Sequence, residues 1–594
     1  MIKQFLDFIK YYGKDKKAKI ISFIAISLLA GCLEFAGIGL IYPFLMMIIN
    51  PLSFINTKFF NVFTSIFGVH SLFVSILIVG FIIVLMFLTK NLLMIFCVYV
   101  QNKFVVNWKN DINKMLMKFY LNVPYKKTFE NTNSEKIYNM TVLSSQTLET
   151  FVLRTLVFCT NSIIIFLIFM LMLIKFPAVS LFTVVFVTLC MICLNKFFKH
   201  RTEVLAPKML EFSLKNNSQV IENVKNLKEI RIFSAENFFL NKFYAIQREN
   251  NDVIFKNAFY AGIPPYVVEM ILVLALIFLA GVITWQNQGE SSRIIASYGL
   301  ILAIVFRIAP SLNRIQVALN NMNASKDMIK KMNEEYLKNH FDEVVEPKKM
   351  AEHIEYNESL RFENVCFSYK NSKQVLKDLS FDIKKGEFIG IIGLSGAGKT
   401  TLIDVLMGLL PADSGQIFVD EQKIDENNVN ALRNIIGYVP QEMNILEDTF
   451  KNNVAWGVPN EDIDENKVIE SLKSAQIFDF VENCGGINAN IQGLSQGQKQ
   501  RLLIARALYR NPKIVIFDEA TSSLDVEKEN EITKMLKSLK GERTIIAIAH
   551  RLTTLKECDR LIYLKDGCIV DIGSFEELKN NHEDFENLIN LSKI

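Results

Sequence analysis

Residues 388–401 read FIGIIGLSGAGKTT, from Phe388 to Thr401, and they decide how the second half of this chain is understood. Five apolar residues predict a strand, the glycine-rich run after them a tight loop, and the following TLIDVLMGLL a helix. The loop fits GxxxxGK[ST] in the strand, loop, helix setting that its chemistry requires. Gly393, Gly396 and Gly398 let backbone N–H groups turn inward around phosphates, with Ser395 and Thr401 adding hydroxyl donors. Lys399 reaches the β and γ oxygens and Thr400 is placed to ligate Mg²⁺, so the expected ligand is ATP with Mg²⁺.

Downstream, the strand KIVIFDE delivers two acids to a strand end. Asp518 is expected to hold Mg²⁺ through its outer shell, and Glu519 to polarise the attacking water as general base. Two adjacent carboxylates are often plain surface charge, but four apolar strand residues before them argue for a buried site. Short apolar strands alternate with helices from about residue 359 onward, the pattern of an α/β domain.

The first half differs in kind. The chain has 594 residues, enough for two to four domains, and is 51% hydrophobic, with the excess in the first 320 residues. Apolar stretches long enough to cross a core of about 30 Å occur near 20–49, 72–100, 155–175, 178–197, 262–285 and 295–317. The expected architecture is therefore an all-α six-helix transmembrane domain over 1–330, a charged linker over 331–358 and an α/β P-loop nucleotide-binding domain over 359–594. The first stretch follows Lys10, Lys14, Lys16, Lys17 and Lys19 but has no small-residue cleavage site, so it reads as a retained span. Lys and Arg crowd the chain before span 1, between spans 2 and 3, between 4 and 5 and after 6, which places those segments and both termini in the cytoplasm. The segment Pro51 to Gly68 reads as a short amphipathic helix lying in the outer interface, the alternative being a packed connecting loop. Net charge is +4, from 65 Lys and Arg against 61 Asp and Glu, which gives no reason to expect nucleic acid as a partner. The nine cysteines are scattered and are expected to be buried small hydrophobes.

Ionisable residues inside spans are costly and rarely incidental. Here they are Glu34, Lys90, Glu269, Arg307 and Arg314, the two arginines sharing one helix face two turns apart. Two readings stand side by side: the acids pair with Lys90 and one arginine to hold helices together, or Lys90, Arg307 and Arg314 form a basic strip for an anionic group of a cargo.

Residues 359–594 resemble the nucleotide-binding domain of an ABC transporter, and the spans before them resemble the exporter-type membrane domain of that family. The resemblance implies that Tyr369 in VCFSYK stacks on adenine, and that Gln441 in GYVPQ senses Mg²⁺ and the attacking water at the contact with the membrane domain. It implies that Asp525 in SLD lies on a loop crossing to the other subunit, and that His550 in AIAHRL is the switch at the γ-phosphate. In GLSQGQKQR, residues 493–501, Ser495, Gly497 and Gln498 match the signature that closes over a nucleotide held by a second chain, with Gln496 pointing away from it. One phosphate loop and one signature per chain imply a homodimer, a heterodimer remaining open. Residues 124–140 and 223–243 look like the two inner tips that carry movement to the membrane. The short CGGINANIQG stands where many exporters have a stretch containing Gly and Glu, which puts the usual contact there in doubt.

For the cargo, LEFAGIGLIYPFL, PPYVVEM and VFRIAPSLNRI resemble the branch that flips lipid-linked oligosaccharides, and imply a polyprenyl-pyrophosphate glycan crossing a bacterial inner membrane. Lys90, Arg307 and Arg314 would suit its pyrophosphate, although Pro265 stands where that branch would carry a basic residue. The alternative is an exporter of peptides, lipids or drugs, and the signature also resembles those of peptide exporters; no peptidase domain is expected before the first span. A membrane-bound regulatory ATPase is the third reading.

Overall fold

A computed structural model of the chain describes residues 2–69, 71–129, 133–175, 177–286, 291–339, 353–369, 373–519, 526–548 and 552–585. The chain divides into two compact units, one of residues 1–122 with 130–344, the other of residues 123–129 with 345–594.

The first unit is helical. Lys17–Gly39 passes through Leu40 into Ile41–Ile49, where Pro43 removes a backbone donor in the new first turn. Leu72–Asn122 follows, then Leu153–Lys175, Pro177–Lys225, Glu236–Gly262, Pro264–Gln286 and Ser291–Ala324. Leu72–Asn122 has 51 residues and Pro177–Lys225 has 49, so at 1.5 Å per residue each is roughly 75 Å long, more than twice a hydrocarbon core. Among the described residues five stretches are long and apolar enough to cross a membrane: Lys14–Ile49, Leu72–Asn122, Glu135–Ile174, Glu236–Trp285 and Ser291–Ala324. The expected span at 178–197 falls inside Pro177–Lys225, of which only the shorter apolar piece Val185–Phe198 is identified. The count of six is therefore not reached among the described residues. Where four helices converge, Ile38, Ile164, Ile168, Ile283, Ile301 and Ile304 form a closely buried core.

The outer segment is two short helices rather than one, Pro51–Ile55 and Lys58–Phe67. Thr57 caps the second by accepting from the Phe60 N–H, and Gly68 ends it at φ +65°. Phe54, Phe60 and Phe63 are buried against Met47 and Val79, while Leu52, Val62 and Ile66 stay exposed. Three aromatic rings thus anchor the segment to the bundle, while Phe59 and Phe67 stay exposed with the aliphatic residues.

The stretch 331–358 also has structure. Lys326–Asn339 is a helix that buries Ile329, Met332 and Tyr336 at three- and four-residue spacing. Tyr12 donates to the Met332 carbonyl at 2.7 Å, and Tyr11 stacks on Tyr336 at 4.6 Å. Ile354 and Tyr356 are already core residues of the second unit, the Tyr356 hydroxyl lying 2.9 Å from that of Thr544.

The second unit holds two sheets. β1 (Ser359–Ser368), β2 (Gln374–Lys384), β4 (Ser414–Val419) and β5 (Gln422–Lys423) form an antiparallel sheet in the order β2-β1-β4-β5. β3 (Phe388–Ile392), β6 (Ile436–Val439), β7 (Ile514–Asp518), β8 (Thr544–Ile548), β9 (Arg560–Lys565) and β10 (Cys568–Gly573) form the other, in the order β10-β9-β3-β8-β7-β6. All its pairings are parallel except β9 with β10. β3, β7 and β8 are buried at every position, which explains their unbroken apolar sequences. A parallel sheet brings the carboxyl ends of its strands to one edge, where open α/β folds bind ligands.

The cysteines depart from expectation. Cys97 and Cys558 are buried, but Cys32, Cys193, Cys484 and Cys568 are exposed; all nine are free thiols.

Candidate functional site

The phosphate loop leaves β3 at Gly393, where a Cβ would run into the Leu564 carbonyl, and enters the helix Lys399–Leu406 through Gly398 at φ +100°. Both positions therefore need glycine for geometric reasons. Lys399 is 6% exposed, and its ammonium donates to the carbonyls of Gly393 at 2.8 Å and Leu394 at 3.1 Å, on the inside of the loop. Burial holds its pKa below the ordinary lysine value, against the pull of Glu519 and Asp518. Gly396 is in the left-handed region at φ +81°, and Ser395 is exposed at the loop tip. Thr400 is in the first turn of the helix beside Thr401, whose hydroxyl lies 3.3 Å from that of Tyr369. Tyr369 meets Phe367 edge-on at 5.0 Å, so the aromatic expected at adenine stands beside the first turn of this helix.

Parallel pairing carries the other groups to the same edge. Asp518 ends β7 and is 5% exposed; its Oδ2 accepts from the Tyr438 hydroxyl at 3.0 Å. Burial raises its pKa, an effect that the Tyr438 hydrogen bond opposes. Glu519 follows at φ +48°, a left-handed conformation that a side chain of this size seldom adopts. Gln441, two residues beyond β6, donates from Nε2 to Glu519 Oε2 at 2.7 Å. One strand-end carboxylate, one helix-start hydroxyl and a buried lysine suit Mg²⁺ held mainly by phosphates, the usual manner of that ion. Asp525 and His550 lie outside the described residues.

The signature folds as the start of a 13-residue helix, Gln496–Leu508. Ser495 is its N-cap: its Oγ accepts from the Gln498 N–H at 3.3 Å, and Gln498 Oε1 accepts from the Ser495 N–H at 2.8 Å. This reciprocal capping box engages Gln498, expected at nucleotide, in holding the helix start. The Ser-x-x-Gln spacing was its signal in the sequence. Gln496 is exposed and Gly497 buried, so the departure from a glycine pair sits on the outer side.

Two neighbours of the site had no expected role. Tyr438 is one; the other is Asp404, in the helix after the phosphate loop, whose pKa is pushed up to about 6 by burial and by Asp518. An aspartate among the buried Ile403, Val405 and Leu406 was the available signal for it.

In the helical unit, Glu34 is 1% exposed. It pairs with Arg307 and lies 3.7 Å from the Lys90 ammonium, tying together Lys17–Gly39, Leu72–Asn122 and Ser291–Ala324. Lys90 and Arg307 are thus not the open strip of the second reading, because a carboxylate in the apolar bundle attracts the nearest cations. Glu269 is exposed and takes no part. Arg314 is exposed and makes no ion pair with the described residues. A cavity of about 500 Å³ lies between Leu153–Lys175, Pro177–Lys225, Pro264–Gln286 and Ser291–Ala324, lined by Phe158, Phe166, Met172, Leu276, Ile304 and Ile308 among others. Ser162 and Thr188 are its only polar lining among the described residues.

Comparison with known proteins matches this arrangement on both sides. The model of the ABC transporter transmembrane region matches residues 39–308, and that of the ABC transporter itself matches residues 376–522. The chain belongs to the ABC transporters. It carries both the transmembrane region and the nucleotide-binding part of that family, with several helices long and apolar enough to cross a membrane. It is similar to an ATP-dependent lipid A-core flippase of Ralstonia nicotianae, 31% identical over 60% of this chain and 61% of that one. A protein of the same description from Francisella tularensis subsp. tularensis is 29% identical over 80% of this chain and 78% of its own. An ABC transporter ATM1 of Toxoplasma gondii is 29% identical over 64% of this chain and 35% of that one. The match thus spans about three fifths of the Ralstonia relative and about a third of the Toxoplasma one. The fold is that of a solved bacterial Atm1-family ABC exporter with ATP bound, at a TM-score of 0.76 and 19% identity over 98% of this chain and 99% of that one.

Proposed function

We propose that the chain is one half of an ATP-driven exporter that moves an amphipathic lipid with an anionic, phosphate-bearing head, in the first instance a polyprenyl-pyrophosphate-linked oligosaccharide, across a bacterial inner membrane. The observation that carries the cargo class is the apolar cavity of about 500 Å³ on the helix that also bears Arg307 and Arg314. Leu312 and Ile315 line it and Arg314 stands between them in sequence, so one helix offers an apolar face for a lipid tail beside a cation for its head. The flippases among the relatives favour a lipid over a peptide or drug. In this reading the domains are 1–330, 331–358 and 359–594, with six spans, the fourth within Pro177–Lys225.

Two copies complete two ATP sites. In each, Gly393, Ser395, Gly396, Gly398, Lys399, Thr400 and Thr401 hold the phosphates, and Tyr369 the adenine. Thr400 and Gln441, with Asp518 acting through water, would hold Mg²⁺, which would neutralise phosphate charge. Glu519 orients and deprotonates the water, and His550 meets the γ-phosphate. Ser495, Gly497 and Asp525 serve the partner's nucleotide, with Gln498 keeping the signature helix capped. Arg314 is the sharper cargo ligand, since Glu34 already engages Arg307 and Lys90. The test is reconstitution in vesicles with a labelled polyprenyl-pyrophosphate glycan: ATP-dependent movement between leaflets is expected. No movement, together with ATPase stimulation by peptides, would replace this reading with that of a peptide exporter.

A further inference from the structure

Tyr438 lies in GYVPQ, three residues before Gln441, without a role of its own there, yet it joins the two strands whose ends carry the chemistry. β6 and β7 pair in parallel with Tyr438 opposite Ile516 and Val439 opposite Phe517. Past those rungs β6 and β7 pair no further among the described residues, and side chains take over. Tyr438 reaches forward to Asp518 Oδ2 at 3.0 Å, and Gln441 reaches Glu519 Oε2 at 2.7 Å. These two contacts are a pair of rungs beyond the backbone ladder. The first is half-buried and made to a carboxylate that is 5% exposed, whereas Gln441 is exposed.

A carboxylate at a strand end can rotate about its last bond, and a hydrogen bond to one oxygen removes that freedom. Phenylalanine would fill the same space without the hydroxyl, so packing alone does not call for tyrosine. We propose that Tyr438 is a positioning residue for the nucleotide reaction: its hydroxyl fixes Oδ2 of Asp518, presents Oδ1 toward hydrated Mg²⁺, and holds the end of β6 so that Gln441 meets Glu519. The proposal rests on the reading of Asp518 as the outer-shell partner of Mg²⁺. Tyr438 touches neither nucleotide nor water; it acts through Asp518 and through the strand that bears Gln441.

The test uses the full chain in lipid nanodiscs and compares wild type, Tyr438→Phe and Tyr438→Leu. Binding of a fluorescent ATP analogue is measured in EDTA and across a Mg²⁺ titration, alongside thermal unfolding. In Tyr438→Phe the Mg²⁺ concentration for half-maximal enhancement of binding should rise about tenfold, the usual effect of losing a group that orients a metal's partner. Affinity in EDTA and the unfolding temperature should match wild type. If Tyr438→Phe titrates like wild type while Tyr438→Leu falls in both binding and stability, the ring alone matters and the proposal is overturned. A wild type whose nucleotide binding ignores Mg²⁺ would instead overturn the reading of Asp518 itself.

Discussion

The phosphate edge of the second unit and the Glu34 cluster of the first both place charged groups in low-dielectric surroundings, but they are assembled differently. At the phosphate edge each group is delivered by a strand end, so residues 393–401, 441 and 518–519 meet because β3, β6 and β7 are parallel in one sheet. The Glu34 cluster draws single residues from three helices far apart in sequence. A carboxylate at a strand end is held by backbone geometry, whereas one inside a bundle is held only by its counterions. The first arrangement can change partners during a cycle; the second loses its support when a partner goes.

Substitutions sharpen this contrast, and the largest effect is expected at the phosphate edge. Glu519→Gln should lower ATP hydrolysis by a factor of at least about 100, the ordinary contribution of a general base, with little change in folding. A phosphate-release assay with thermal unfolding checks both, and near-normal hydrolysis would remove Glu519 from its role. In the bundle the same class of change should act on stability. Glu34→Ala leaves Lys90 and Arg307 without their shared counterion and should cost about 3–5 kcal/mol, read as a lower unfolding temperature in detergent. If stability is unchanged, the cluster does not hold the helices.

A smaller effect belongs to Asp404. Its folded pKa of about 6 exceeds the unfolded aspartate value of about 3.9, so the folded state binds the proton more tightly. Stability from this group is complete below pH 4 and is lost as pH rises to 6. Asp404→Asn should therefore raise the unfolding temperature at pH 7.5 and flatten its slope between pH 4 and 6, measured without nucleotide. The least effect is expected at Gln496, exposed at the outer side of the signature helix. Gln496→Ala should keep ATPase activity within about twofold, since the capping box of Ser495 and Gln498 stays intact.

The same contrast explains what could be read before the fold was known. The loop around Lys399 and the acids Asp518 and Glu519 were legible because their chemistry is contiguous and the strands that position them are uniformly apolar. Tyr438 was hidden, since a tyrosine in a strand is unremarkable until its neighbouring strand is known. Gln498 carried two signals at once, signature and helix cap, and the cap is the one with geometry behind it. In the bundle, a stripe of charges masked the buried Met332 and Tyr336, so the second part of a helix read as linker. For Glu34 two readings were open from sequence, and pairing with Lys90 and Arg307 rests on which helices pack together.

Arg314 tests the central claim most directly, because it is the cation of the membrane cluster that can be removed without breaking the Glu34 pairs. The full chain and Arg314→Ala, each reconstituted in vesicles, should be compared for ATP-driven movement of a labelled polyprenyl-pyrophosphate glycan and for basal ATPase activity. Loss of most of the movement with basal hydrolysis retained is the expected result. Undiminished movement would contradict a cationic face that receives the lipid head.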